Sequence, residues 1–375
     1  MRSIDPTYRH LLKLLRSSLY EPKDSCCILS ETLSERQWYK VLEEAEKQTV
    51  TGIVFLAISR LPEQEMPSLS VLATWLATAH RDSGKYASMT AVLSRLLPLL
   101  EKNGLHPVLQ KGHAVARFYA SPELRSCGDI DLYFPNEERV KADNVMKELG
   151  YKIVSTPDCG SCYIVGQTEV EHHSMLIEIH NPLHSGLIKD LCRSFPSKET
   201  RLTDSVKARV PSPMVELIMM NAHILKHCLG VGIGLRQFCD YALAWRNLTD
   251  VSLHGDAAVD IDKYLNVCGR LGILKWTRVL HSFINRYLPA FGGMAVAELP
   301  GEVEANAVER IFGLVCEGGN FGKYSRSRQS FIRKNKLGRK LHTMSAFLNN
   351  RSFVYRLAPS EAFWTFTRLL VGQIH

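Results

Sequence analysis

The sequence predicts an α+β protein in which a block of alternating strands and helices, residues 104–206, lies between an N-terminal helical region, 1–103, and a C-terminal helical domain, 207–375. Three observations lead there. Helical spacing of apolar residues dominates both ends, short apolar runs closed by glycine or proline mark the middle, and 45% hydrophobic with 22% charged residues describes a chain that buries a large core. Its 375 residues suffice for two or three units of ordinary size.

In chain order, the clearest N-terminal helical run is "SLSVLATWLATAHRDSGKYASMTAVLSRLLPLLEKNG", residues 68–104. Leu69, Leu72 and Leu76, then Leu93, Leu96, Leu97 and Leu100, follow one helix face, with a kink or break expected at Pro98 and a stop at Gly104. "HPVLQKG" reads as a short strand ending in a glycine turn, "HAVARFYA" as a helix, and "GDIDLYFP" as a strand closed by Pro135. "NEERVKADNVMKELG" is helical, capped by Asn136 and stopped by Gly150. "YKIV", "CYIVG" and "SMLIEIH" read as further strands, and the alternation ends near residue 206. Beyond it, "PSPMVELIMMNAHILKHCLG" starts a helix at Ser212–Pro213 and ends it at Gly230. "LRQFCDYALAWRNL" and "IDKYLNVCGRLGILKWTRVLHSFINRYL" continue in helical period, and "FWTFTRLLVGQIH" either packs on the core, the more usual reading of its aromatic and aliphatic spacing, or meets another chain. No internal repeat or low-complexity segment occurs.

Composition narrows the class. The start has basic residues scattered among its apolar positions and no uninterrupted hydrophobic core, so no signal peptide is expected. No run approaches about 20 apolar residues, which argues against a membrane span. The expected location is the cytoplasm, with the ten cysteines reduced and mostly buried. "CGSC", Cys159 and Cys162, has the spacing of a zinc or redox pair but lacks a second pair, and reads as a hairpin tip with two incidental thiols.

The net charge of +8 is uneven: residues 318–360 hold ten Lys and Arg and no acid, leaving −2 for the rest. Such a stretch is either a solvated helix face or a surface for a phosphate-rich partner such as RNA.

The most informative stretch is "GDIDLYFP". Strand alternation puts Asp129 and Asp131 on one face, where they repel unless a cation lies between them, and a divalent ion such as Mg²⁺ is the natural neutraliser. "LIEIH" offers a third carboxylate, Glu178, with Ile177 and Ile179 turned to the core. Two metal ions bridged by the three acids would suit phosphoryl transfer. Upstream, "LQKGHA" places Lys111 and Gly112 at a strand-to-helix turn able to receive a phosphate, and Arg125 could add charge from the loop "SPELRSCG". His223 and His227 share one helix face, as do Arg236 and Asp240; a packed histidine pair and an internal salt bridge are the plainer readings.

Lys-Gly, a tyrosine-bearing helix, "SPELRSCGDIDLYFP" and "IEIH", joined by "HILKHCLGVGIGLRQFCDYAL" and "GGNFG", resemble the poorly characterised nucleotidyltransferase family within the polymerase-β-like superfamily, over roughly residues 105–322. The resemblance implies a polymerase-β-like nucleotidyltransferase core with a small mixed sheet. It implies Mg²⁺ on Asp129, Asp131 and Glu178, a phosphate turn at Gly112, and transfer of a nucleotidyl group from a nucleoside triphosphate such as ATP to an unidentified acceptor. Many superfamily members carry Ser after that glycine where this chain has His113, so a hydroxyl contact to the nucleotide is missing. Lys111, Gly112, His113 and Arg125 are the expected nucleotide-binding residues. A small molecule or sugar is the favoured acceptor. The alternatives are an RNA or tRNA end, as in toxin-like nucleotidyltransferases, and a catalytically silent binding module; three mutually repelling acids have no evident use in the last.

Overall fold

The structure, a computed structural model, describes residues 4–22, 25, 27–135, 137–156, 160–229, 232–320, 324 and 352–371. Four helices come first: α1 (Pro6–Tyr20), α2 (Glu35–Lys47), α3 (Thr51–Ile58) and α4 (Leu69–Lys102). Asp5 caps α1 through the Thr7 N–H, and Ser34 with Gln37 forms a reciprocal capping box on α2. The break expected at Pro98 does not occur, and α4 runs unbroken for 34 residues. Proline inside a helix costs about 3 kcal/mol. Leu93, Leu96, Leu97 and Leu100 are all buried around it, and at about 1.5–3 kcal/mol for each such side chain their burial offsets that cost.

One seven-stranded mixed sheet follows. Its strands and helices in chain order are β1 (Val108–Gln110), α5 (Gly112–Ala116), β2 (Asp129–Tyr133), α6 (Glu138–Glu148), β3 (Val154–Thr156), β4 (Gly160–Val165), β5 (Thr168–His173), α7 (Ser185–Ser194), β6 (Lys198–Arg201) and β7 (Lys207–Val210). They lie in the order β3-β4-β5-β2-β1-β7-β6. Strand β2 runs antiparallel to β1 and parallel to β5, and β7 joins β1 in parallel. The sheet therefore extends to Val210, a few residues past the expected end of the alternation. Asn136, the expected cap of α6, lies outside the described residues, whereas Gly150 ends that helix with φ +87°.

"SMLIEIH" is not a strand. The ladder partner of β2 is the preceding segment, "TEVEHH", because the β4–β5 hairpin, turned at Gly166 (φ +64°), sets its register. After His173 the chain leaves the sheet, and the Ile179 N–H donates to the Ile177 carbonyl (2.9 Å) rather than to a neighbouring strand. The alternation seen in the sequence is still real: Ile177 and Ile179 are buried in the helical core, with Glu178 between them.

The C-terminal part contributes α8 (Pro213–Leu229), α9 (Leu235–Leu248), α10 (Val251–His254), α11 (Ile261–Arg270), α12 (Leu274–Tyr287) and α13 (Ala307–Gly318), then helices Ser352–Leu357 and Pro359–Val371. Gly272 (φ +71°) divides the run expected over 261–288 into α11 and α12. Two cores result. One is built from α1–α3 together with α8, α9, α11–α13 and the last two helices, and includes Leu11, Trp38, Ile218, Phe238 and Phe283. The other lies between the C-terminal half of α4, the sheet and α6. Val71 and Trp75 belong to the first core, and Leu93 to Leu100 to the second, so α4 ties them together. Phe353, Leu357 and Ala362 place the last helices on the first core; within "FWTFTRLLVGQIH", Phe366 packs against it partly buried, Phe363 is exposed, and residues 372–375 lie outside the described residues.

Candidate active site

The β2–β5 register determines which side chains share a face. Pairing Asp129 with Glu169, Asp131 with Glu171 and Tyr133 with His173 gathers four acids and a histidine on one side of the sheet. On the other side of β2, Gln110 is directly opposite Asp131, and its amide is fully buried without a hydrogen-bond partner.

The turn after β1 brings Lys111 to these acids. Its backbone adopts φ 54°, ψ −145°, a conformation rare for any residue with a side chain. Its Nζ lies 3.5 Å from Asp131 Oδ1 and 3.6 Å from Glu178 Oε2. Gly112 packs closely on β2: a Cβ there would stand 3.1 Å from the Asp129 carbonyl oxygen, so a side chain would require β2 to shift by a few tenths of an ångström. Helix α5 is anchored from below by Arg117, which pairs with the fully buried Glu216 of α8.

Glu178 therefore reaches the aspartates from a loop rather than from a strand. Besides Lys111, it meets two groups of α8: His223 Nδ1 lies 2.6 Å from Oε2, and Lys226 Nζ donates to Oε1. His227 Nε2 stands 3.1 Å from His223 Nε2. The loop is held by Glu361 of the last helix, which accepts from the His180 and Asn181 N–H groups (2.7 and 3.2 Å).

Electrostatics follow from this crowding. Burial opposes ionisation of Glu178, but Lys111, His223 and Lys226 outweigh it and hold the carboxyl well below its ordinary range. Asp131 is likewise ionised, burial being overcome by Lys111 and by His173, whose Nε2 lies 2.7 Å from Oδ1. The Asp131 charge, and then burial, push Asp129 up to about 7. Burial and the Lys111 charge lower His223, against its contact with Glu178 Oε2.

The other expected residues lie nearby in different roles. Arg125 is buried and gripped by Asp240 of α9, Nε to Oδ1 at 3.0 Å and Nη2 to Oδ2 at 2.6 Å; Tyr119 also donates to Asp240 (2.7 Å). The Arg236–Asp240 bridge expected from helical spacing is thus replaced by Arg125–Asp240. The His113 ring stacks on Tyr86 of α4, centroids 4.2 Å apart, with Nε2 3.2 Å from Thr90 Oγ1. Histidine stands here in place of the common serine as part of the α4 packing.

Glu171 and His173 are the residues that sequence reasoning missed. Asp131, Glu171 and His173 each offer a ligand atom, and these atoms lie within 4.8 Å of one another. The signal was present: Glu169, Glu171 and His173 alternate directly after a glycine hairpin, but the more apolar "LIEIH" competed for the strand assignment. Cys162 is opposite Glu171 on β4, while Cys159 lies outside the described residues, as does most of the basic 318–360 segment. Among the described residues no helix is long and apolar enough to cross a membrane.

A glycine turn beside paired aspartates, with further carboxylates converging from other segments, is the arrangement of a nucleotidyltransferase, and the mixed sheet agrees with the polymerase-β-like core anticipated from sequence. The chain belongs to the uncharacterised nucleotidyltransferase family, whose model matches residues 34–275. No curated protein matches it. Two solved structures are similar over most of their own length. One is ANT(2″)-Ia in complex with adenylyl-2″-tobramycin (TM-score 0.35, 16% identity, 49% of this chain and 97% of that one). The other is an antigenic nucleotidyltransferase-like protein from Paracoccidioides brasiliensis (TM-score 0.31, 14% identity, 58% and 95%).

Proposed function

We propose that the protein transfers a nucleoside monophosphate from a nucleoside triphosphate to an acceptor hydroxyl of a small molecule or sugar, in a reaction that depends on Mg²⁺. The observation that carries this reading is the convergence of Asp131 and Glu178 on a single cation, the Lys111 ammonium. Buried carboxylates that already require a positive charge between them, built from hard oxygen donors, fit a divalent ion. Asp129, Asp131 and Glu178 would hold it, with Glu171 next in reach. Bound there, it would polarise the phosphoryl oxygens as a Lewis acid.

The chain's own groups do the rest. Lys111, beside Gly112, offers its ammonium to the triphosphate, and Arg125 and His113 brace the walls through Asp240 and Tyr86. The acceptor oxygen bonds to the α-phosphorus as the bond to the β-phosphate oxygen breaks. Pyrophosphate leaves, and the hydroxyl proton passes to a carboxylate, with Glu178 kept ionised for that task or for metal binding.

The test is calorimetric titration of ATP, GTP, CTP and UTP with Mg²⁺ into the wild type and the Asp129→Ala, Asp131→Ala double variant. Metal-dependent binding of at least one nucleotide, lost in the double variant, is expected. Binding that survives loss of both aspartates would overturn the assignment, and nucleotide binding without turnover in an acceptor screen would favour a silent binding module. A salt-dependent tRNA gel shift would redirect the acceptor toward RNA.

A further inference from the structure

Unsatisfied buried polar groups are uncommon, and each asks what it is for. Three among the described residues lie on segments that adjoin β2: the Gln110 amide across the ladder from Asp131, His113 Nδ1 next to Gly112, and Arg236 Nε on α9, whose Nη1 holds the Ser126 carbonyl. Arg236 is the charged one. It is 8% exposed, and Nη1 donates to the Ser126 carbonyl (2.6 Å), whereas Nε has no partner.

Its lack of a carboxylate partner has a structural cause. Asp240, one helical turn further along α9, is engaged by Arg125 through both oxygens and by Tyr119. Arg125 in turn is spent on internal partners, with Nη1 also going to the Ser126 carbonyl and Cys127 Sγ. Asp240 is thus taken by Arg125, and Arg236 is buried beside that like charge, with Asp82 of α4 also within its electrostatic reach. Burial and then Arg125 lower its pKa, while Asp240, Cys127 and Asp129 pull the other way. The Ser126 carbonyl that Arg236 holds lies three residues before Asp129, which brings this cation to the start of β2. A buried guanidinium with a free N–H, next to carboxylates arranged for a phosphate chain, calls for an anionic oxygen.

We infer that Arg236 binds a phosphate of the nucleoside triphosphate, taking the role that the sequence assigned to Arg125. Arg125, through Asp240, is the positioning residue that keeps Arg236 from being neutralised internally. This inference rests on the nucleotidyltransferase reading above for the identity of the anion, though not for the existence of an anion site.

The experiment measures equilibrium binding of three probes to the full chain with Mg²⁺: an α,β-methylene nucleoside triphosphate of the preferred base, inorganic tripolyphosphate, and the free nucleoside. Wild type, Arg236→Gln and Arg236→Lys are compared, each first checked for cooperative unfolding. Losing a hydrogen bond to a charged group predicts roughly 10- to 100-fold weaker binding of both polyphosphates in Arg236→Gln. The nucleoside should be unaffected, and Arg236→Lys should recover part of the loss. Undiminished triphosphate affinity in a folded Arg236→Gln, or an equal loss for the nucleoside, would overturn the inference. If the wild type binds tripolyphosphate through Arg236 but no nucleotide, the anion site stands and the nucleotidyltransferase reading falls. If it binds neither, both fall.

Discussion

Asp240 holds Arg125 through both carboxylate oxygens, although the two residues sit on different parts of the chain, one in the loop before β2 and the other on α9. Both are almost fully buried, so removing one partner leaves the other charge stranded. Asp240→Ala is expected to lower the unfolding free energy by about 3–5 kcal/mol. Replacing both members with apolar residues, as in Arg125→Met with Asp240→Leu, should restore much of that stability. Urea titrations of the single and double variants decide the point; a double variant as unstable as the single one would mean that packing, not charge, sets the cost.

Lys111 stands between two carboxylates that a divalent ion would otherwise separate. Lys111→Met should therefore destabilise the metal-free protein, and added Mg²⁺ should raise its melting temperature more than it raises that of the wild type. Thermal unfolding with and without millimolar Mg²⁺ tests this. An identical Mg²⁺ response in both proteins would remove Lys111 from the metal site.

Glu178 and Glu171 offer competing completions of the metal set. With Lys111, His223 and Lys226 aiming it, Glu178 is the group whose removal should abolish turnover. Glu171→Ala, which trims the Asp131–His173 cluster, should weaken metal binding by about 10- to 100-fold, as loss of a supporting ligand does. Mn²⁺ titration followed by electron paramagnetic resonance ranks them. The reverse ranking would make β5, not the loop after it, the source of the third ligand.

Two histidines are buried in their neutral form. Burial and then Arg125 lower His113 to about 4. Burial lowers His281 to about 4 as well, against the hydrogen bond from its Nδ1–H to the Ala297 carbonyl, while Tyr241 lies 3.0 Å from its Nε2. In the unfolded chain both titrate near 6.5. Below that pH the unfolded state binds the extra proton, so stability is full above about 6.5 and falls as pH drops toward 4. Each site contributes on the order of 3 kcal/mol to the loss. Urea midpoints at pH 7.5, 5.5 and 4.5 measure it, and His281→Gln, remote from the aspartates, should make the slope shallower. An unchanged slope would place the acid sensitivity elsewhere.

What could be read without coordinates was whatever depends on near neighbours in sequence. The Lys111–Gly112 turn, the shared face of Asp129 and Asp131, and the helical ends all follow from local geometry. What could not be read depends on partners far along the chain. Glu178 lies between two core isoleucines, as its alternation indicates, yet the strand beside β2 is "TEVEHH", chosen by hairpin register. Arg236 and Asp240 have ideal spacing for each other, and Asp240 instead pairs with an arginine more than a hundred positions earlier. Pro98 should disrupt α4 by every local rule, and the leucines packed around it against the sheet overrule that.

The first three helices share a core with α8, α9 and α11 to α13. Gln48, just after α2, joins the two ends directly: its Oε1 accepts from the Leu235 N–H at the start of α9, and its Nε2 donates to the Val315 carbonyl. During translation those early helices emerge with apolar faces such as Leu11, Leu15 and Trp38, ahead of the C-terminal helices with which they share a core. At 5–20 residues per second the wait for α13 lasts roughly ten seconds to a minute. Gln48 thus completes its link between the start of α9, the helix that carries Arg236 and Asp240, and the rest of the helical core only once α13 has been made.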